Sequence, residues 1–238
     1  MIYNTLCPYC GVLMLKAENL PNARSVEHMI PNTVLRHPRN NGDGDFYACR
    51  RCNTRKSHMD YVLGVIAKSQ ADDDEFAAQV LIDAVLKPDN RADRFVEMVR
   101  SVRETATGAE MPLPFSGDEL LAYMEFLAKG QYFRKTRQML IPAKQVMLFR
   151  FVNKEILLYV KSDYETRHQS NPFRDLERNA GSEVLAGGDC IIYSKNKNYL
   201  FVFHDYIGIT IRVRPRNRKN TERERQSRER ILADFALA

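Results

Sequence analysis

The first 60 residues show no sustained hydrophobic period. Pro8, Pro21, Pro31 and Pro38, with the turn-forming run "NNGDGD", break them into short pieces. Such a stretch has too few apolar positions to fold alone, so it calls for an internal staple. From about Arg50 the spacing turns helical and continues through "DYVLGVIAKSQ". Two further helices are predicted, "DEFAAQVLIDAVLK", opened by the acidic cluster Asp72–Glu75, and "RADRFVEMVRSVRET". After the Pro-rich break "MPLPFSGDE" comes "DELLAYMEFLAKGQYF", with Leu120, Leu121, Met124 and Leu127 on one face. Beyond Pro142 the period shortens to two. "KQVMLFRFVNKEILLYVKSDY" reads as two strands around an Asn-Lys turn, and "DCIIYSKNKNYLFVFHDYIGITIRVRP" as up to three more. A short helix near "NPFRDLERN" interrupts them, and the tail reads as a charged helix ending on Ile231, Leu232 and Phe235. The pattern therefore predicts an α+β protein with a loop-rich N-terminal module over 1–65. A helical region follows over 66–140, then an antiparallel β-rich region over 141–238 with a basic tail.

Composition adds little until it is resolved along the chain. The 238 residues are 44% hydrophobic and 28% charged, as in an ordinary globular protein. No apolar run approaches a membrane span and the opening residues lack a secretory pattern, so a cytoplasmic protein without a membrane partner is expected. The net charge of +6 is uneven: residues 61–130 are acidic, whereas residues 131–238 carry 21 Lys/Arg against 12 Asp/Glu. That asymmetry points to a polyanionic partner.

Four of the five cysteines fall in two pairs, Cys7-x2-Cys10 and Cys49-x2-Cys52. In a reducing compartment this pattern favours metal over disulfide. Four thiolates form a closed tetrahedral set for zinc and leave no open position for chemistry, so the implied zinc is structural. The stretch looped out between the pairs contains Glu27-His28 followed by "MIP", and "CNTRKS" closes the unit.

This order resembles the HNH (His-Asn-His) endonuclease family, over about residues 5–60. The resemblance implies a ββα-metal core, with His28 as the base that activates water. Glu27 matches the acidic metal ligand, and Asn53 the ligand at the helix start that completes a catalytic Mg²⁺ or Mn²⁺ site. Cys7, Cys10, Cys49 and Cys52 match the zinc knuckle. At the family's central Asn this chain has Gly44, Asp45 and Phe46, and either Asp45 or Asn41 could brace the loop. The chemistry stands beside the resemblance: phosphodiester hydrolysis needs a base near neutral pKa and a hard cation on oxygen ligands. Adjacent strand residues face opposite ways, so bringing Glu27 and His28 to one site requires a distortion before Pro31.

Lys56, Arg51, Arg55 and His58, on the helix that follows, are candidate phosphate contacts, while His37, His168 and His204 fall outside the motif. In "IGITIRVRP" the pleat puts Ile207, Ile209, Ile211 and Val213 on one face and Thr210, Arg212 and Arg214 on the other. Arg212 and Arg214 are candidate nucleic-acid contacts, continued by the basic tail. The expected function is metal-dependent hydrolysis of DNA, with a homodimer as one route to a double-strand break. The alternatives are a zinc-knuckle module that binds nucleic acid without cutting it, and an RNA-cleaving effector.

Overall fold

A computed structural model describes residues 1–40, 42–69, 73–87, 92–105, 108–204 and 207–235. The N-terminal part is a strand–strand–helix unit. Strands β1 (Arg24–Glu27) and β2 (Phe46–Cys49) pair antiparallel, with Glu27 opposite Phe46 and Arg24 opposite Cys49. Ile2 bridges the far edge of β2. Helix α1 (Arg50–Lys68) leaves β2 without a connecting loop, with Cys49 as its N-cap. Its apolar positions Val62, Leu63, Val65 and Ile66 turn inward. Close packing of α1 on the turn after β1 depends on Gly64, where an added Cβ would lie 2.6 Å from the Thr33 carbonyl oxygen.

The helical middle contains α2 (Asp74–Val85), α3 (Ala92–Arg100) and α4 (Gly117–Thr136). Asp73 caps α2 by accepting from the Phe76 amide, so the acidic start of that helix acts as expected. Asp72 lies outside the described residues. The third helix stops earlier than its pattern predicts, and Arg103–Thr105 instead forms β3, paired with β4 (Gly108–Glu110). Ser116 and Glu119 close a reciprocal capping box on α4, whose Leu120, Leu121, Met124 and Leu127 are all buried as the stripe predicts.

The C-terminal part is a five-stranded antiparallel sheet. Its strands are β5 (Gln145–Val152), β6 (Gly181–Leu185), β7 (Cys190–Lys195), β8 (Asn198–Phe203) and β9 (Ile207–Pro215), in spatial order β5-β9-β8-β7-β6. The predicted second strand after Asn153 is instead helix α5 (Lys154–His168). The Asn153 side chain accepts from the Ile156 amide and starts a helix where an Asn-Lys hairpin turn was expected. Of its apolar run only Leu157 is buried, so the run had no strand-like face to bury. Helix α6 (Pro172–Asn179) follows as predicted.

Helices cover both faces of the sheet. Phe201, Ile209, Ile211 and Val213 join the main core beside α4, while Val202, Tyr193, Val152 and Leu157 form a smaller cluster under α5 and α6. Helix α7 (Arg218–Asp234) lies along β5, where Glu224 accepts from the Met147 amide and Ser227 from the Phe149 amide. Those contacts satisfy donors that an edge strand would otherwise leave open. The main core runs unbroken from Cys7 through α1 and α4 to Ile231. Among the described residues no helix is long and apolar enough to cross a membrane.

Candidate functional site

The two cysteine pairs converge. The first sits in a tight knuckle between Leu6 and Leu13, where the Gly11 amide donates to the Cys7 carbonyl and Gly11 takes φ +77°. A left-handed residue there is cheap only as glycine. The second pair spans the β2–α1 junction, with Cys49 as N-cap and Cys52 in the first turn. All four sulfurs lie within 4.8 Å of one another; Cys7, Cys49 and Cys52 are buried and Cys10 is exposed. The Cys49 amide donates to the Cys7 sulfur at 3.4 Å. The Cys7 thiol is pulled down to about 5, chiefly by its hydrogen bond with Cys52, against the opposing effect of burial. The Cys52 thiol is raised by the same bond, and the Cys49 thiol by burial. Four sulfurs this close together form a site that can hold a metal ion such as zinc.

Strand β1, whose Arg24 pairs with Cys49, leads from the sulfur cluster to a second group of polar side chains.

 Its alternate residues Ser25 and Glu27 face α1. Asn53 on α1 donates its amide to the Ser25 hydroxyl (2.7 Å) and the Val26 carbonyl (3.1 Å), which leaves its Oδ1 without a hydrogen bond among the described residues. One turn further on, Lys56 meets Glu27.

Glu27 is 1% exposed, and its Oε1 accepts from the Tyr9 hydroxyl at 2.9 Å and lies 3.0 Å from the Lys56 ammonium. Its Oε2 is buried without a hydrogen-bond partner among the described residues. Lys56 is equally buried and also donates to Asp60 (2.9 Å) and to the His28 carbonyl (3.1 Å). Burial alone would lower the Lys56 pKa, but the charges of Asp60 and Glu27 outweigh it and raise the value. Burial pushes Asp60 up to about 6, against the pull of Lys56. Lys56 is therefore not the phosphate contact its place in "CNTRKS" suggested, because its ammonium lies inside the protein. Its signal in the sequence was the i,i+4 spacing to Asp60.

Strand β1 ends at Glu27, and His28 lies just beyond it, half-buried, where the expected distortion begins. Its Nε2 is 3.2 Å from the Asn40 carbonyl. A carbonyl only accepts, so Nε2 is the donor in this contact, and in the neutral ring Nδ1 is then the acceptor. Asp45 braces the loop around this histidine. Its amide donates to the Glu27 carbonyl (2.8 Å), and its Oδ2 accepts from the Met29 amide (2.8 Å). Arg39 and Arg134 flank that carboxylate at 3.5 and 3.2 Å. Asp45 thus ties the two sides of this loop together, while Asn41 lies outside the described residues. Arg39 had no motif to reveal its part: it meets Asp45 only six positions on, but through a loop that no local periodicity fixes.

The remaining candidates are dispersed. Arg51 and Arg55 are exposed on the outer side of α1, with His58 half-buried nearby. Arg212 is exposed on β9, and Arg214 is half-buried with its guanidinium 2.6 Å from the Asn198 side-chain oxygen. His204, outside the motif, is buried and donates Nε2–H to the Val34 carbonyl at 2.8 Å. Comparison of the chain with protein-family models, curated proteins and solved structures gives no match.

Proposed function

We propose that the N-terminal unit is a metal-dependent endonuclease of the HNH type, hydrolysing phosphodiester bonds of DNA. The observation that carries the reading is the His28 imidazole: its Nε2 lies 3.2 Å from the Asn40 carbonyl, an acceptor, so the neutral ring presents Nδ1 as the base. In this scheme Nδ1 takes a proton from water as the water oxygen attacks phosphorus. The bond to the leaving oxygen then breaks, and that oxygen is protonated from solvent. Asp45 and Arg39 hold the loop that aims the ring. Glu27 Oε2 and Asn53 Oδ1 are oxygens left unpartnered on the facing sides of β1 and α1, and the buried carboxylate oxygen suits a hard cation. Mg²⁺ or Mn²⁺ held there would stabilise negative charge building on the phosphate. Zinc on the four cysteines would fix the β2–α1 junction that presents Asn53.

One observation favours a second reading, a module that binds nucleic acid without cutting it: Lys56 already balances one negative charge at Glu27. Plasmid DNA incubated with Mg²⁺ or Mn²⁺ separates the two. Wild type should nick or cut, and His28→Ala should be slower by about 10²–10⁴-fold, the usual contribution of a general base. Equal rates would overturn the mechanism, and no cleavage by wild type would favour binding alone. A parallel RNA digestion assigns the substrate.

A further inference from the structure

We infer that a cleft at the end of α4 binds phosphate groups of a single-stranded nucleic acid. The cleft encloses about 360 Å³ between the end of α4, the 138–145 segment and the tips of β8 and β9. That volume falls at the lower end of the roughly 300–1,000 Å³ found for small-ligand sites, enough for one nucleotide unit of a strand. Lys144, Lys197 and Arg214 line it, and none of its described lining residues is acidic.

The three cations differ in how they are held. Lys144 and Lys197 are exposed, while Arg214 is fixed by Asn198 at 2.6 Å. The Lys197 ammonium lies over the Tyr132 ring, 5.6 Å from its centroid. Asn196 and Lys197 both have positive φ, at 48° and 61°, so a tight turn between β7 and β8 sets the lysine over the cleft. The nearby Glu224 is already committed to the Met147 amide and to Arg216, so it does not cancel this charge. Residues 131–238 carry the chain's largest positive excess, and the cleft concentrates part of it in a concave site. The cleft lies apart from His28 in sequence and belongs to the sheet, so it would grip the strand by its backbone without performing chemistry.

The inference rests on the proposal that this chain acts on nucleic acid, and its test separates the two. Binding of a labelled single-stranded oligonucleotide is measured with zinc-loaded protein in a His28→Ala background without added Mg²⁺ or Mn²⁺. Cleavage can then fail while cleft binding persists. Lys144→Gln combined with Lys197→Gln should weaken binding by about tenfold and reduce the salt slope by about 1.4, at about 0.7 per phosphate contact on a single strand. Arg100→Gln, exposed at the end of α3 in the acidic middle of the chain, is the control for general charge. Unchanged binding by the double variant, or an equal loss in the control, would overturn the inference. Adenosine monophosphate is titrated separately. Cleft-dependent binding of the mononucleotide with cleft-independent binding of the strand would overturn the strand assignment in favour of a free nucleotide. Matching circular dichroism spectra establish that the variants are folded.

Discussion

At the residue scale, the Glu27–Lys56–Asp60 group shows how burial changes what a motif residue does. A lysine on the outer face of a helix would be a phosphate contact; this one is sealed against two carboxylates and the His28 carbonyl. Replacing Lys56 by methionine leaves both acids buried without their cation. Removing one partner of a buried pair costs about 3–5 kcal/mol, so urea unfolding of Lys56→Met should report a loss of that order. A neutral result would mean that the carboxylates reach water or another cation. Lys56 is legible in the sequence only as half of an i,i+4 pair, because Glu27 comes from a strand 29 positions away in the chain.



At the element scale, the strongest constraints are the knuckle and the close approach of α1. Metal on Cys7, Cys10, Cys49 and Cys52 would tie the first turn of α1 to the N-terminal knuckle, a cross-link that spans most of the looped-out residues. Elemental analysis should find one zinc per chain, and Cys10→Ala should lose it and lower the melting temperature. Retention of stoichiometric zinc in that variant would remove Cys10 from the site. Gly64→Ala places a methyl against the Thr33 backbone, which has no flexible end to yield. Overpacking of this kind costs about 1–3 kcal/mol, measurable as a shifted urea midpoint. Helix α5 carries the opposite lesson. Its contiguous apolar residues imitate a strand, yet the Asn153 cap and the sheet's existing partners for β5 make it a helix.

At the scale of the whole molecule, the N-terminal unit and the sheet share one core and are joined by His204. That imidazole reaches the Val34 carbonyl, and Asp189, 3.7 Å from its Nδ1, also accepts from the Arg36 amide. Burial depresses the His204 pKa below its ordinary 6.5. The unfolded chain therefore takes up the proton first, so this residue's stabilising contribution is present above about pH 6.5 and is lost as pH falls through the depressed value. Urea unfolding between pH 7.5 and 5 should show wild type losing more stability than His204→Gln. Parallel losses would assign the acid sensitivity to other groups.

The sequence by itself determined the elements whose signals are local: the capped α4, the amphipathic β9, the charged α7 and the two cysteine pairs. Periodicity and cysteine spacing report which face is buried and which atoms can converge, and neither needs distant partners. Only the tertiary structure decided that Lys56 is buried, that Asp45 and Arg39 brace the His28 loop, and that Lys144, Lys197 and Arg214 meet in one cleft. The first and last of these join residues far apart in the chain, and the His28 loop has no periodicity of its own, so all three are set by packing of the whole core.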